Sequence, residues 1–174
     1  MSNKHYAPRF KTFTWLREHQ AIDSKCERVL KRISRRHKRV LVAGNVNAGK
    51  NTVANAIFAY WHDLGRNATY TPSIECRTPG ELWSHSEFRK FRACFTSGNP
   101  IIVPFMYEQE WYGEQNIPGL FDSGRNFDVI VDCRRLPDGT RMVCQIFCRR
   151  GQGWTCVYRS PTFASLQIGA RRAA

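Results

Sequence analysis

The residues of this chain best equipped for chemistry lie in the run Gly44-Asn45-Val46-Asn47-Ala48-Gly49-Lys50-Asn51-Thr52. Its first seven residues have the form G-x-x-x-x-G-K. Two glycines free the backbone to curl around an anion with its N–H groups turned inward, and the lysine adds a point charge for terminal phosphates. The run Arg39-Val40-Leu41-Val42-Ala43 before it is apolar and of strand length, and an apolar-rich helical segment follows. Strand, loop and helix in that order bring a helix N-terminus, the positive end of its dipole, to the same anion. A nucleotide is the expected ligand, with Gly44, Asn47, Ala48, Gly49, Lys50, Asn51 and Thr52 as its candidate contacts. The position after the lysine, where a Ser or Thr hydroxyl normally reaches Mg²⁺, is Asn51, and Thr52 stands one place late. Asn51 and Thr52 are therefore the candidate metal contacts. An amide substitutes poorly for the hydroxyl, and Thr52 could replace it only if the helix began one residue later. The competing reading is a Gly/Asn turn that joins a strand to a helix and binds nothing.

The elements that must hold this loop can be followed along the chain. Residues 1–11 read as disordered or loosely attached. Residues 12–22 read as a short helix with Thr14 as its cap, and Asp23 or Ser24 caps a second helix to about Arg36. Cys26, Val29, Leu30 and Ile33 fall on one face of that second helix; Lys25, Arg28, Lys31, Arg32, Arg35 and Arg36 fall on the other. The helix after the loop runs from Lys50 to about Leu64, with Val53, Ala54, Ile57, Phe58 and Trp61 inward and Gly65 as its stop. Residues 68–76 read as one strand weakened by Pro72, residues 79–94 as helical, and residues 100–106 as a short buried strand between prolines. Residues 107–126 are irregular. Phe127, Val129, Val131 and Cys133 alternate, and Met142, Cys144, Ile146 and Cys148 return as a partner strand across Pro137-Asp138-Gly139, where the Asp-Gly pair predicts a type I′ hairpin. Gly151-Gln152-Gly153 turns into a further strand. The expected division is a basic helical lead-in (1–38), the nucleotide domain (39–160) and a flexible basic tail (161–174).

Bulk properties narrow the field. The 174 residues suffice for one domain with its own core, and no apolar run is long enough to cross a membrane. The polar N-terminus lacks a signal core, so the expected location is the cytoplasm. The seven cysteines include no C-x-x-C pair; reduced cysteines on buried strands are the favoured reading and a zinc site the alternative. Net charge is +13, and residues 1–40 concentrate it, with twelve Lys/Arg against three acids. Such a segment can bind nucleic acid or an anionic membrane surface; a solvated helix face is the competing reading.

Three stretches together resemble the ATPases of type II and type IV secretion systems, above all those that power conjugative DNA transfer. Residues 12–36 are similar to the helical lead-in of that family. Residues 40–57 are similar to its phosphate loop and helix, including the form Thr52-x-x-Asn55-Ala56. Residues 127–141, with Arg135-x-x-Asp138-Gly139-x-Arg141, are similar to its C-terminal strand pair. Together they span about half the chain. Weaker likenesses are Ser73-Ile74-Glu75-Cys76-Arg77 with Gly80-Glu81-Leu82, similar to an acidic box, and residues 93–100, similar to the approach to a histidine box.

The resemblance implies an α/β fold, a RecA-like P-loop NTPase core with a C-terminal antiparallel β-hairpin. It also implies ATP and Mg²⁺ as ligands, secretion or conjugation subunits as partners, a homo-oligomer, and a cytoplasmic site peripheral to the inner membrane. Glu75 would be the acidic-box carboxylate. The departures are specific. The chain is about half the family's usual length, Cys76 stands where the family has Asp, and Asn99 stands where it has His. No apolar strand ends in the family's Walker B glutamate; Glu108 and Glu110, after the strand 100–106, are the strand-end candidates, with Glu108 taken as the catalytic choice. An arginine often crosses from a neighbouring subunit in this family, and Arg134, Arg135 and Arg141 are available for that role. The expected activity is thus nucleotide binding with weak or absent hydrolysis. The alternative is a basic non-catalytic protein that binds nucleic acid through residues 4–39 or regulates a full-length secretion ATPase.

Overall fold

The computed structural model describes residues 11–76, 82, 85–107 and 126–166. The hydrophobic run 39–44 becomes β1 (Arg39–Gly44), and everything else is arranged about it. Before it come α1 (Phe13–Glu18) and α2 (Ser24–Arg36); after it come α3 (Lys50–Asp63), β2 (Thr69–Tyr70), β3 (Ile74–Cys76), α4 (Ser86–Lys90) and a 3-10 turn over Arg92–Phe95. The chain then runs through β4 (Ile101–Tyr107), β5 (Val129–Arg135), β6 (Arg141–Arg150) and β7 (Gly153–Arg159) to a short helix, α5, over residues 161–166.

The strands form one mixed sheet in the order β2-β4-β1-β5-β6-β7, with β3 also paired to β4. β1 pairs in parallel with β4 on one side and β5 on the other. Val40, Val42, Val129 and Val131 face a core shared with α1, α2 and α3, while Leu41, Ala43, Val103 and Ile130 face a second core with Leu82 and Phe105. β1 and β5 are therefore buried on both faces, which is why they read as near-continuous apolar runs. The lead-in helices share the central core with the sheet instead of standing apart from it.

Several local expectations are corrected. Thr12, not Thr14, caps α1, accepting from the Trp15 N–H (3.1 Å). Asp23 caps α2 through Cys26 N–H (2.6 Å). The single strand expected over 68–76 is two, β2 and β3, with Pro72 in the gap. That gap accommodates a second proline. Pro104 lies inside β4, paired with Val42. Ile101 N–H donates to Lys38 on the β1 side, and Ile102 C=O accepts from Thr71 on the other. Backbone alternation turns residue 104 outward, so its missing N–H falls opposite the break between β2 and β3.

The expected helix over 86–94 is α4 followed by the 3-10 turn. The hairpin turn is not type I′, because Gly139 is at φ 85° whereas Asp138 is not at positive φ. Gly139 N–H donates to Leu136 C=O and Leu136 N–H to Thr140 C=O, the pattern of a three-residue loop closing on a left-handed glycine. Residues 161–166 of the expected flexible tail are helical, with Phe163 buried against Leu136, Met142 and Cys144.

Candidate nucleotide site

The loop lies at the carboxyl end of β1, the strand at which the sheet reverses direction of growth, and such switch points form crevices at the strand ends. Gly44 is the last residue of β1, and its lack of a side chain is what fits it there. A Cβ would come within 2.5 Å of Cys133 C=O and 3.0 Å of the Ala48 Cβ. Only glycine lets the loop turn this tightly against β5. Asn47 is at φ 58° and Gly49 at φ 84°, so the chain folds back twice in left-handed geometry before the helix begins. Ala48 N–H donates to Asn45 C=O (3.2 Å), and Gly49 C=O accepts from Val53 N–H to open α3. Gly49 caps that helix without any side-chain bond, leaving the orphan N–H groups of the first turn directed into the loop.

Lys50 is the first residue of α3 and is only 6 % exposed. It forms no hydrogen bond or ion pair among the described residues. Burial pulls its ammonium below the usual lysine value, against weaker opposing effects from Cys133 and Glu75. A second loop group is also unsatisfied: the buried Asn45 Oδ1 has no hydrogen-bond partner among the described residues.

Glu75 is exposed on β3, opposite Met106, which is itself opposite Gly44. It thus stands two strands from the loop's first glycine, roughly 10 Å in the hydrogen-bonding direction, and its charge reaches Lys50. Glu108 and Glu110 lie outside the described residues. The strand that precedes them, β4, ends alongside the start of the loop.

Asn51 is exposed and Thr52 half-buried. Because α3 starts at Lys50, the one-residue shift that Thr52 would need to replace a metal-binding hydroxyl does not occur. Thr52 lines a neighbouring cleft instead. Mg²⁺ is ordinarily held by one or two carboxylates together with substrate phosphates; here Asn51 supplies an amide oxygen at the helix start and Glu75 a carboxylate beside the loop. Among the described residues no group of three His, Cys, Asp or Glu is placed to hold a metal by itself.

The three hairpin arginines separate. Arg134 is buried, donates to Asp132 Oδ2 (2.9 Å) and stacks over Phe163 (4.6 Å). Arg135 is exposed near Gly139 and is the cross-strand partner of Arg141. Arg141 is packed against the loop, 3.6 Å from where a Gly49 Cβ would stand, and its side chain is exposed. Periodicity alone does not distinguish Arg141 from its neighbours; its place depends on how β6 pairs with β5.

Sequence reasoning also missed Asp132. It is fully buried beside Ala43, Oδ1 has no hydrogen-bond partner among the described residues, and burial raises its carboxyl above the usual range despite Arg134. In the sequence it is hidden within an apolar strand run.

The seven cysteines are free; Cys156 is exposed and Cys94 half-buried. Buried Cys133, Cys144 and Cys26 carry thiols pushed up chiefly by burial, which keeps them protonated.

Asn99, the residue at the histidine-box position, precedes β4 and lies at the amino ends of the parallel strands with Lys38 and Asp128. The loop lies at their carboxyl ends, about 20 Å away along a six-residue strand. A residue at position 99 is therefore out of reach of any ligand seated on the loop.

No protein-family model matches this chain, and no curated protein matches its sequence.

Proposed function

We propose that this chain binds a nucleoside triphosphate, ATP in the first instance, on the loop Gly44–Lys50. On this reading it is a relative of the ATPases of type IV secretion and conjugative transfer, with a RecA-like core and weak or absent hydrolysis. The single observation that carries the proposal is Lys50: a buried cation at a helix N-terminus, without an ion-pair partner among the described residues, inside a glycine-framed loop. Burying an unpaired charge is costly, and a phosphate anion would offset that cost.

The mechanism that follows is one of binding and orientation. Backbone N–H groups of the loop and the first turn of α3 hold the phosphates, and Lys50 neutralises their terminal charge. Asn51 and Glu75 would be the residues offered to Mg²⁺, which would supply charge neutralisation to the bound phosphates. Turnover would additionally need a carboxylate to orient water, for which Glu75 and Glu108 are the candidates. Partners on this reading are secretion or conjugation subunits and further copies of the chain.

The test is nucleotide binding by calorimetry for the native chain and Lys50→Ala. A fall in ATP affinity of at least about tenfold in the variant is expected; unchanged binding would sink the proposal. Phosphate release above background that disappears in Lys50→Ala would replace weak turnover with true hydrolysis.

A second reading is favoured by one observation. Lys25, Arg28, Arg32, Arg35 and Arg36 are arrayed along the outer face of α2, and Lys38 continues them. That face supports a nucleic-acid contact, in which backbone phosphates are the ligand.

A further inference from the structure

Beside the loop is a cleft of about 170 Å³ between α1, the first turn of α3 and the start of β6. Its walls follow from the sequence. Phe13 and Leu16 anchor α1 in the core, which leaves Trp15 and His19, four residues apart, on the helix flank. The His19 ring stacks on Trp15 with centroids 3.7 Å apart and planes at 21°. His19 Nδ1 is held by Trp15 C=O (2.9 Å), so the ring is oriented. Lys11 Nζ sits 4.0 Å from the Trp15 ring centroid. The opposite wall is Met142 and Arg141, and Val143 N–H donates to Ala21 C=O (2.9 Å), which pins β6 to the turn after α1. The floor is apolar: Leu16, Ala48 and Val53.

The cleft shares Ala48, Gly49 and Thr52 with the run Gly44–Thr52. Among the described residues, the cleft is a walled space into which a molecule anchored by phosphates on the N–H groups of the first turn can extend. The faces of Trp15 are taken by His19 and Lys11, so a ligand in the cleft meets the outer side of the His19 ring and the indole edge, an apolar floor, and two polar lining groups, Thr52 and Arg141. That composition suits a flat heteroaromatic ring joined through a sugar to phosphate. We infer that the cleft receives the base and ribose of the nucleotide, with Arg141 and Thr52 at the junction with the phosphates, and that it does so without selecting among purines. The lack of selection follows from the lining. Sites that hydrogen-bond a substrate group discriminate strongly against its absence, whereas apolar walls discriminate weakly.

This inference rests on the nucleotide reading of the loop, and the experiment separates the two. The full chain is titrated calorimetrically with ATP, GTP and inorganic tripolyphosphate, each with Mg²⁺, and so are His19→Ala and Trp15→Leu. For the native chain ATP and GTP are expected within about fivefold of each other, and tripolyphosphate about tenfold weaker or more. In both variants the advantage of ATP over tripolyphosphate should shrink by about fivefold while tripolyphosphate affinity stays as it was. Unchanged tripolyphosphate affinity reports an intact loop, and His19, being exposed, can be truncated without opening the core. Equal affinity for ATP and tripolyphosphate in the native chain would overturn the inference and leave the loop reading standing. A preference of more than about a hundredfold between ATP and GTP would overturn its non-selective character. Binding of none of the three would overturn the loop reading and this inference together.

Discussion

Lys50 concentrates the tension between stability and function in a single side chain. Its charged form is disfavoured by burial, so its folded-state pKa is below the unfolded one. The penalty is present at neutral pH, where the unfolded lysine is fully charged, and fades only as pH rises through the folded value. Replacing the charge with an apolar stem of similar length should relieve it. Lys50→Met is expected to melt a few degrees above the native chain at pH 7 without ligand, since about 1 kcal/mol moves the midpoint by roughly 2–4 °C at this size. The same variant should lose the ATP-induced rise that mass action gives a binding-competent fold. Thermal scans with and without ATP check both; a lower ligand-free midpoint would show that Lys50 is paired and structural. At this scale the sequence was informative, because glycine and lysine spacing is local. It did not single out Arg141, which reaches the loop from far downstream through strand pairing, nor Asp132, whose burial beside Ala43 and Gln145 is set by neighbours on two other strands.

Asp128 shows how an element is fixed in place. It stands one residue before β5 and accepts from Arg39 Nη2 (2.5 Å) and Nε (3.1 Å), and from the Lys38 and Arg39 backbone N–H groups (3.3 and 3.1 Å). The pair locks the start of β5 to the start of β1, and with it the register that sets Cys133 beside Gly44. Burial would raise the carboxyl, but Arg39 and the two amides outweigh it and hold it below the usual range. A depressed carboxyl stabilises the fold above its unfolded value of about 3.9, and that contribution is lost as pH falls through the folded value. Asp128→Asn should therefore cost about 1–2 kcal/mol at pH 7, the lower end reflecting partial exposure of Arg39, and the difference from the native chain should close below about pH 4. Denaturant melts at pH 7 and about pH 3 check it; a gap that persists in acid would contradict the assignment. Helix periodicity located α2 and α3 correctly from their apolar spacing. The hairpin turn and the split of β2 from β3 were misread, because the first depends on which single residue takes positive φ and the second on a proline seated in the neighbouring strand.

The whole molecule has two ends of different character. The loop Gly44–Lys50, its cleft and Glu75 gather at the carboxyl ends of the parallel strands. At the amino ends α2 delivers Arg36, His37 and Lys38 to a second cleft of about 420 Å³ with Phe95 and Asn99. Trp61 Nε1–H donates to Ser34 C=O (2.7 Å) and the Arg66 guanidinium to the carbonyls of Arg35 and His37, so α3 and the turn after it hold the end of α2 in position. If the basic face contacts nucleic acid, binding should weaken steeply with salt. Neutralising Arg28, Arg32 and Arg36 should then lower the salt slope by roughly one for each DNA phosphate that no longer meets a cation. Nucleotide affinity should stay unchanged in that variant, because none of the three arginines lines the cleft beside the loop. Oligonucleotide titrations across a salt series check this, and an affinity indifferent to salt would leave the charges as a solvated face. Among the described residues no helix is long and apolar enough to cross a membrane.

Short-range chemistry was legible in the chain alone: a strand, a glycine-framed turn with a lysine, a helix, and a basic amphipathic helix before them. Each depends on residues within a few positions of one another, where backbone freedom, capping and periodicity act. Which distant residues meet is a property of the folded molecule. Folding put Arg141 and the Trp15–His19 pair beside the loop and Asn99 at the far end of the sheet. The reason is physical: strand order and register are set by burial of both sheet faces at once, and that sum runs over the whole chain. In the sequence the loop reads as an anion cradle of unspecified reach; in the fold it is flanked by a cleft, bordered by Trp15 and His19, that shares Ala48, Gly49 and Thr52 with it.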